Sequence, residues 1–271
     1  MSTVVFFHAH PDDEAIGTAC TIALTAKSGH RALIVFATRG ELGELPLDGL
    51  NPGETLADRR VDEARAAADI LGAAGIEFLG FKDSGMQGDP RNYAAGSFWA
   101  ADIDVAARRL AHTLRSEAAD VLVTYDEGGV SGHPDHRKAH RVATLAATMA
   151  RTPVLYEATF NRDHLLGLLE SARRNPSAEL PPLPDPESLS ELGMTADRIT
   201  TVVQGRSVAY LKRAAMAAHA SQIGETSLFL SLPPDAFAIT WGLEWFIRRR
   251  ESSVTADDPF RELGVETGAA A

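Results

Sequence analysis

The sequence has a single cysteine, Cys20, which leaves it without an intramolecular disulfide and without a cysteine-built structural zinc site. Basic clusters are also scarce: no run of lysine or arginine exceeds Arg248-Arg249-Arg250, and the formal net charge is −11. Nucleic acid and anionic membrane surfaces are therefore poor partners, and small neutral or cationic molecules are better ones. No stretch approaches the ~18 consecutive apolar residues of a membrane span. The run Val4-Val5-Phe6-Phe7 is too short for a secretory signal, and no basic residue precedes it. These absences predict a cytoplasmic protein with no membrane insertion. The turn after that run also lacks the G-x-G-x-x-G of dinucleotide-binding folds, which argues against a dehydrogenase.

With 45% hydrophobic residues over 271 positions, the chain can bury a substantial core as one α/β domain. β-branched and aromatic runs at Thr3–Ala9, Ala32–Ala37, Ile76–Phe81, Asp120–Tyr125 and Pro153–Ala158 read as strands. Pro11–Ser28, Thr55–Leu71, Ala100–Ala118 and Pro134–Ala150 read as helices between them, and Asn161–Arg174 and Ser207–Gln222 as later ones. The alternation predicts a Rossmann-like α/β fold, a mostly parallel doubly wound sheet flanked by helices, in a single domain with a smaller C-terminal extension. Residues 1–160 form its catalytic core and 161–250 add helices and strands that cover the pocket. Residues 251–271 lose apolar periodicity and read as a flexible tail. Asn175–Glu187, with five prolines, reads as a surface excursion.

Two polar clusters interrupt this pattern. His10-Pro11-Asp12-Asp13-Glu14 follows the first strand and opens a helix, at the carboxyl end of the strand where open α/β sheets build sites. His10 and Asp13, three residues apart, face one direction, and Asp12 projects roughly 100° away. Acidic residues complement a helix N-terminus, which accounts for the carboxylates but not for His10. Gly132-His133-Pro134-Asp135-His136 repeats the arrangement after the fourth strand. His10, Asp13 and His136 together supply two imidazoles and one carboxylate, a set that suits catalytic zinc with an open fourth position and also a non-haem Fe(II) triad. The iron oxygenases that use it sit mostly on all-β barrels, unlike this alternating chain.

HAHPDDE and GHPDH resemble the LmbE-like (PIG-L-like) zinc-dependent de-N-acetylase family, which includes GlcNAc-phosphatidylinositol deacetylases, mycothiol-pathway deacetylases and amidases, and antibiotic-sugar deacetylases. Thr38-Arg39-Gly40-Glu41-Leu42-Gly43-Glu44, Arg60-x-x-Glu63, Asp83-Ser84-Gly85-Met86 and His219-Ala220-Ser221-Gln222 extend the resemblance over about residues 3–225, closest in motif to the mycothiol-pathway enzymes. The resemblance implies that His10, Asp13 and His136 hold one Zn2+ per chain, with Fe2+ as a substitute, and that Asp12 is the general base. It implies a protonated His133 as oxyanion donor, oriented by Asp135. Arg39, Arg60 and Asp83 are candidates for sugar hydroxyls, and His219 for the pocket wall. The expected reaction is hydrolysis of an N-acetyl amide on a small amino-sugar substrate, with a homo-oligomer possible. The alternatives are an amidase for a larger amide such as a mycothiol conjugate, and a non-catalytic metal- or sugar-binding relative. Retention of Asp12 beside the ligands argues against the last. Ser131 stands where many relatives carry tyrosine, and Tyr93 is the candidate replacement.

Overall fold

The computed structural model describes residues 1–45, 49–174, 183–251, 260 and 264–266. Its sheet contains β1 (Thr3–His8), β2 (Arg31–Phe36), β3 (Gly75–Phe78), β4 (Val121–Tyr125), β5 (Val154–Thr159), β6 (Thr201–Gln204), β7 (Leu243–Glu251) and β8 (Gly264–Glu266). The spatial order is β3-β2-β1-β4-β5-β7-β6-β8. The first five strands in that order run parallel, with Val4 beside Ala32 on one side and Val121 on the other. β7 then pairs antiparallel with β5 and β6, and β8 antiparallel with β6. The Rossmann-like expectation holds, and the antiparallel edge is an addition to it. β7 escapes a hydropathy reading because it carries the arginine run, yet Arg249 Nε reaches the buried Glu157 Oε2 at 2.8 Å.

The parallel strands are apolar on both faces because both faces are covered. Along β1, Val4 and Phe6 enter one cluster and Val5 and Phe7 the other, as the two-residue strand period requires. The helices are α1 (Asp13–Gly17), α2 (Ala19–Lys27), α3 (Leu56–Leu71), α4 (Ile103–Ser116), α5 (Gly129–Gly132), α6 (Pro134–Ala150), α7 (Arg162–Arg174), α8 (Ala209–Ala218) and α9 (Pro234–Trp241). α2, α3, α8 and α9 contribute Ile22, Ala67, Met216 and Phe237 to the first cluster; α4 and α6 contribute Leu110, Ala111, Val142 and Ala143 to the second. α3 starts at a capping box between Thr55 and Asp58.

The helix expected over Pro11–Ser28 is divided at Thr18 (φ −139°), between α1 and α2. The Thr18 hydroxyl donates to Glu14 O at 3.2 Å and meets His8 Nε2 at 3.0 Å, a local alternative to continuing one helix. Of the stretch expected as a flexible tail, residues 251, 260 and 264–266 are described. Phe260 is fully buried and stacks on Tyr156 with centroids 4.3 Å apart, and β8 extends the sheet. Apolar contact at a single aromatic leaves no periodicity to detect. The remainder of the tail, and residues 175–182 of the proline-rich stretch, lie outside the described residues. Among the described residues no helix is long and apolar enough to cross a membrane.

β1 is flanked by β2 and β4, so the strand order reverses direction there. Such a switch point opens a crevice beyond the carboxyl ends of the strands. The two histidine motifs follow β1 and β4 and meet in that crevice.

Candidate metal centre

Asp13 stands between two imidazoles. Its Oδ2 lies 3.4 Å from His10 Nδ1 and its Oδ1 lies 3.3 Å from His136 Nε2. Neighbouring donors around tetrahedral zinc with 2.0–2.1 Å bonds are about 3.3 Å apart, a spacing that each of these two pairs matches through a different carboxylate oxygen. The second nitrogen of each ring is already committed to the protein. His136 Nδ1 faces Gly129 O at 3.1 Å, and His10 Nε2 faces Asp135 Oδ2 at 3.2 Å and Asp83 Oδ1 at 3.6 Å. A ligating histidine characteristically gives its other N–H to a carbonyl or carboxylate, which fixes its tautomer. His10 Nδ1 and His136 Nε2 are the nitrogens turned to Asp13. The groups whose donor atoms all lie within 4.8 Å of one another are His10 with His133 and His136, and His10 with Asp83 and Asp135, while Asp13 meets His10 and His136 pairwise.

Tyr125, the last residue of β4, was not singled out by sequence. Its hydroxyl donates to Asp13 Oδ2 at 2.7 Å and accepts from Ala9 N at 2.7 Å. Its ring stacks on His136 with centroids 4.3 Å apart at 13°. His10 N also donates to Asp13 Oδ2, at 2.9 Å. Burial would push the Asp13 carboxyl up, but His136 and His10 outweigh it and hold the pKa well below the ordinary value. Burial would likewise lower His10, and its carboxylate partners raise it well above the usual imidazole value. Beneath them, His8 is buried on Thr18 and its pKa is lowered by burial, a hydrogen-bonded core histidine.

Asp12 adopts φ +112°, an uncommon conformation for a side-chain-bearing residue. Two side chains, Glu14 and Arg60, hold this turn through three hydrogen bonds. Glu14 Oε2 accepts the Asp12 N–H at 2.9 Å, Arg60 Nη2 reaches Asp12 Oδ2 at 3.0 Å, and the same guanidinium donates to Pro11 O. Burial pushes the Asp12 carboxyl up to about 6, against the opposing charge of Arg60. That value is suited to a base working near neutrality.

Several expected roles change. Arg60 is 3% exposed, with Nη1 on Gly40 O at 2.9 Å, so it supports Asp12 rather than meeting sugar hydroxyls. Gly40 is required there: at φ +66°, an added Cβ would fall 2.3 Å from Arg60 Nη1. His219 is fully buried with Nε2 2.5 Å from Glu14 Oε1, so it anchors Glu14 instead of lining the pocket. The Asp135 carboxylate does not hold His133. It accepts Ser84 N at 3.0 Å and faces His10, while the Asp135 backbone N–H donates to His133 Nδ1 at 3.1 Å. Nδ1 of His133 is therefore an acceptor, and burial together with the neighbouring His10 and His136 lowers its pKa to about 4. The protonated His133 of the sequence reading gives way to a neutral ring carrying its proton on Nε2. Arg39 remains accessible and lines a polar cleft of about 600 Å3 with Glu41, Lys82, Asp83 and Arg91. Tyr93 is 79% exposed and lines a separate depression beside Gly132 and Pro134.

The later motif residues are struts. Glu63 accepts Ser221 N at 2.8 Å and Ser221 Oγ at 2.7 Å, and Gln222 bonds both the N–H and the carbonyl of Glu44. They fasten α3 and the segment after β2 to the end of α8. Glycine at 43 is needed for this, since a Cβ would lie 2.3 Å from Gln222 Oε1.

Fold and site together define a Rossmann-like α/β protein with a His/Asp metal-type centre at the sheet's switch point. Residues 5–147 match the family described as PIG-L, GlcNAc-PI de-N-acetylase. The chain belongs to that family and is an N-deacetylase. It is 34% identical over 269 residues to 1D-myo-inositol 2-acetamido-2-deoxy-alpha-D-glucopyranoside deacetylase of Acidothermus cellulolyticus, covering 94% of this chain and 91% of that protein. Among solved structures it is similar to N,N'-diacetylchitobiose deacetylase of Pyrococcus horikoshii, with TM-score 0.59, 18% identity, and coverage of 92% of this chain and 84% of that one. It is also similar to the 4-carboxy-2-hydroxymuconate hydratase of Pseudomonas putida KT2440, with TM-score 0.58, 21% identity, and 94% and 100% covered. The fold thus hosts more than one reaction, and the argument for chemistry rests on the site.

Proposed function

We propose that this chain is a zinc-dependent deacetylase of an N-acetylated amino sugar, in the substrate class of its inositol-linked glucosamine relatives. The observation that carries the reading is Asp13 fixed between His10 Nδ1 and His136 Nε2, with the separately held carboxylate of Asp12 alongside. His10, Asp13 and His136 hold one zinc ion, for which Fe2+ can substitute. When bound, the metal acidifies a water and polarises the amide carbonyl. Asp12, ionised at neutral pH and braced by Arg60, accepts the proton of the attacking water. The neutral His133 ring, its Nδ1 occupied by Asp135 N, offers Nε2–H to the carbonyl oxygen as negative charge develops there. Asp12 then returns the proton to the departing nitrogen. The C–N bond breaks, and acetate and a free amine leave. Arg39 and Asp83, on the polar cleft, seat the sugar.

The test is acetate release by zinc-loaded protein from N-acetylglucosamine, an inositol conjugate, a lipid-linked form and antibiotic-type glycosides. Release that disappears in Asp12→Asn supports the reading. Silence across all four with stoichiometric zinc overturns it.

A further inference from the structure

Asp126 follows β4 directly and is fully buried. Its Oδ2 accepts from the Thr159 hydroxyl at 2.6 Å and its Oδ1 from Val130 N at 3.0 Å, so among the described residues a hydroxyl and a backbone amide hold it rather than a cation. A buried carboxylate with only neutral donors is costly and calls for a reason. The Val130 N–H belongs to the same peptide group as the Gly129 carbonyl, and that carbonyl faces His136 Nδ1 at 3.1 Å. One rigid plane therefore joins the carboxylate to the imidazole, and an acceptor fixed on its N–H side fixes the direction of its C=O. The fixing is needed, because Gly129 has φ +69° and Val130 φ +59°, ψ −60°, a conformation that a β-branched residue disfavours. The turn is held beyond that plane as well: Gly129 N donates to Asp126 O at 2.9 Å, and Val130 O accepts from Gly193 N at 2.8 Å. Electrostatics act in the same sense. Negative charge at the N–H end of a peptide increases the negative charge on its oxygen, as hydrogen bonds in a chain polarise one another. A stronger acceptor at Gly129 O keeps the proton on Nδ1 and leaves the lone pair on Nε2, the nitrogen 3.3 Å from Asp13 Oδ1.

We propose that Asp126 is a positioning residue for the metal centre, acting through the peptide that joins Gly129 to Val130 to orient His136 and keep its Nε2 free to ligate. This rests on the metal-dependent reading above, in which His136 is a ligand. The arrangement is a carboxylate–histidine support with one peptide group inserted between its two members. Asp126 stands outside the polar cleft that Arg39 and Asp83 line, so its influence on the reaction runs through His136.

The experiment compares the parent with Asp126→Ala and Asp126→Asn. Alanine removes the acceptor, whereas asparagine keeps an oxygen for Val130 N, turns its NH2 to the Thr159 hydroxyl and removes only the charge. Two quantities are read. Zinc affinity comes from competition with a chromophoric chelator. The imidazole Nδ1–H proton of His136 is followed by NMR in metal-free protein, where protection from exchange with water reports its bond to Gly129 O. Alanine is expected to weaken zinc binding by roughly 10–100-fold, the range for losing a support behind a ligand, and to abolish the protection. Asparagine is expected to keep the protected proton and to bind zinc about three- to tenfold more weakly than the parent, because a neutral acceptor polarises the peptide less. A residue that serves folding alone would lower the urea stability of Asp126→Ala and leave the proton protected and zinc affinity at the parent's level; that result overturns the assignment. Where the alanine variant does not fold, Asp126→Asn decides: parity with the parent in zinc affinity overturns the assignment, and the smaller loss with the proton retained upholds it. A parent that binds no stoichiometric zinc overturns the metal-dependent reading instead. The proton then judges the peptide clamp alone, and an unprotected Nδ1–H in the parent rejects it.

Discussion

Tyr125→Phe isolates one hydroxyl. Phenylalanine keeps the ring that stacks on His136, so packing and aromatic contact are preserved while two hydrogen bonds vanish. Ala9 N, fully buried in the structure, loses its acceptor, a cost of about 1–3 kcal/mol. Asp13 loses a charge-assisted partner worth roughly 1.5–3 kcal/mol. The two losses share one group and are not additive, so about 3 kcal/mol is expected for the metal-free protein. That is a large fraction of the ~5–15 kcal/mol that holds a typical domain folded. The hydroxyl also orients the carboxylate between the imidazoles, and removing such a support weakens metal binding by roughly 10–100-fold. Urea unfolding of metal-free protein measures the first quantity, and competition with a chromophoric chelator the second. A stability loss below ~0.5 kcal/mol with zinc affinity within twofold of the parent would show that Asp13 is held in place by His10 and His136 alone, and the clamp argument would fail.

Asp12→Asn is expected to retain stoichiometric zinc and lose about 10²–10⁴ in kcat, because asparagine also tolerates positive φ and only the base is removed; metal analysis beside turnover checks both halves. Arg60→Gln removes the positive charge that lowers the Asp12 pKa, so the acid limb of kcat/KM moves to higher pH, and a limb that stays put or moves down would refute the pairing. His136→Ala should bind no stoichiometric zinc under dialysis conditions that load the parent, and retained metal would displace it from the ligand set. In metal-free protein, Asp83 titrates below its ordinary value because His10 and the Gly85 and Leu42 amides overcome the effect of burial. A depressed carboxyl stabilises above its unfolded pKa, so this contribution is present above pH ~4 and fades as the pH falls below it; Asp83→Asn should flatten that acid loss in urea titrations.

The parallel half of the sheet and both histidine motifs were legible because they obey local rules: buried strands read as continuous apolar runs, and proline marks a helix start. His10, Asp13 and His136 converge as their position at adjacent strand ends required. The support around them was not legible. Arg60 and His219 were assigned to substrate because a polar residue in a motif looks like a contact, whereas their burial depends on tertiary neighbours such as Glu14 and Gly40. Tyr125 ends an ordinary apolar strand and betrays nothing until Asp13 is folded against it. The proton on His133 depended on a single backbone amide, that of Asp135, which spacing alone does not reveal.

Glu14 and His219 are 205 positions apart and fully buried against each other. That separation gives the site a place in time as well as in space. During synthesis the strand and helix bearing His10 and Asp13 emerge early, but the anchor that restrains Asp12 through Glu14 is absent until the chain has passed His219. Cys20 N and Thr21 N likewise wait for Glu244 to accept their hydrogen bonds. A nascent chain therefore displays its metal-ligating residues long before their supports arrive, and the working geometry is among the last features to be assembled.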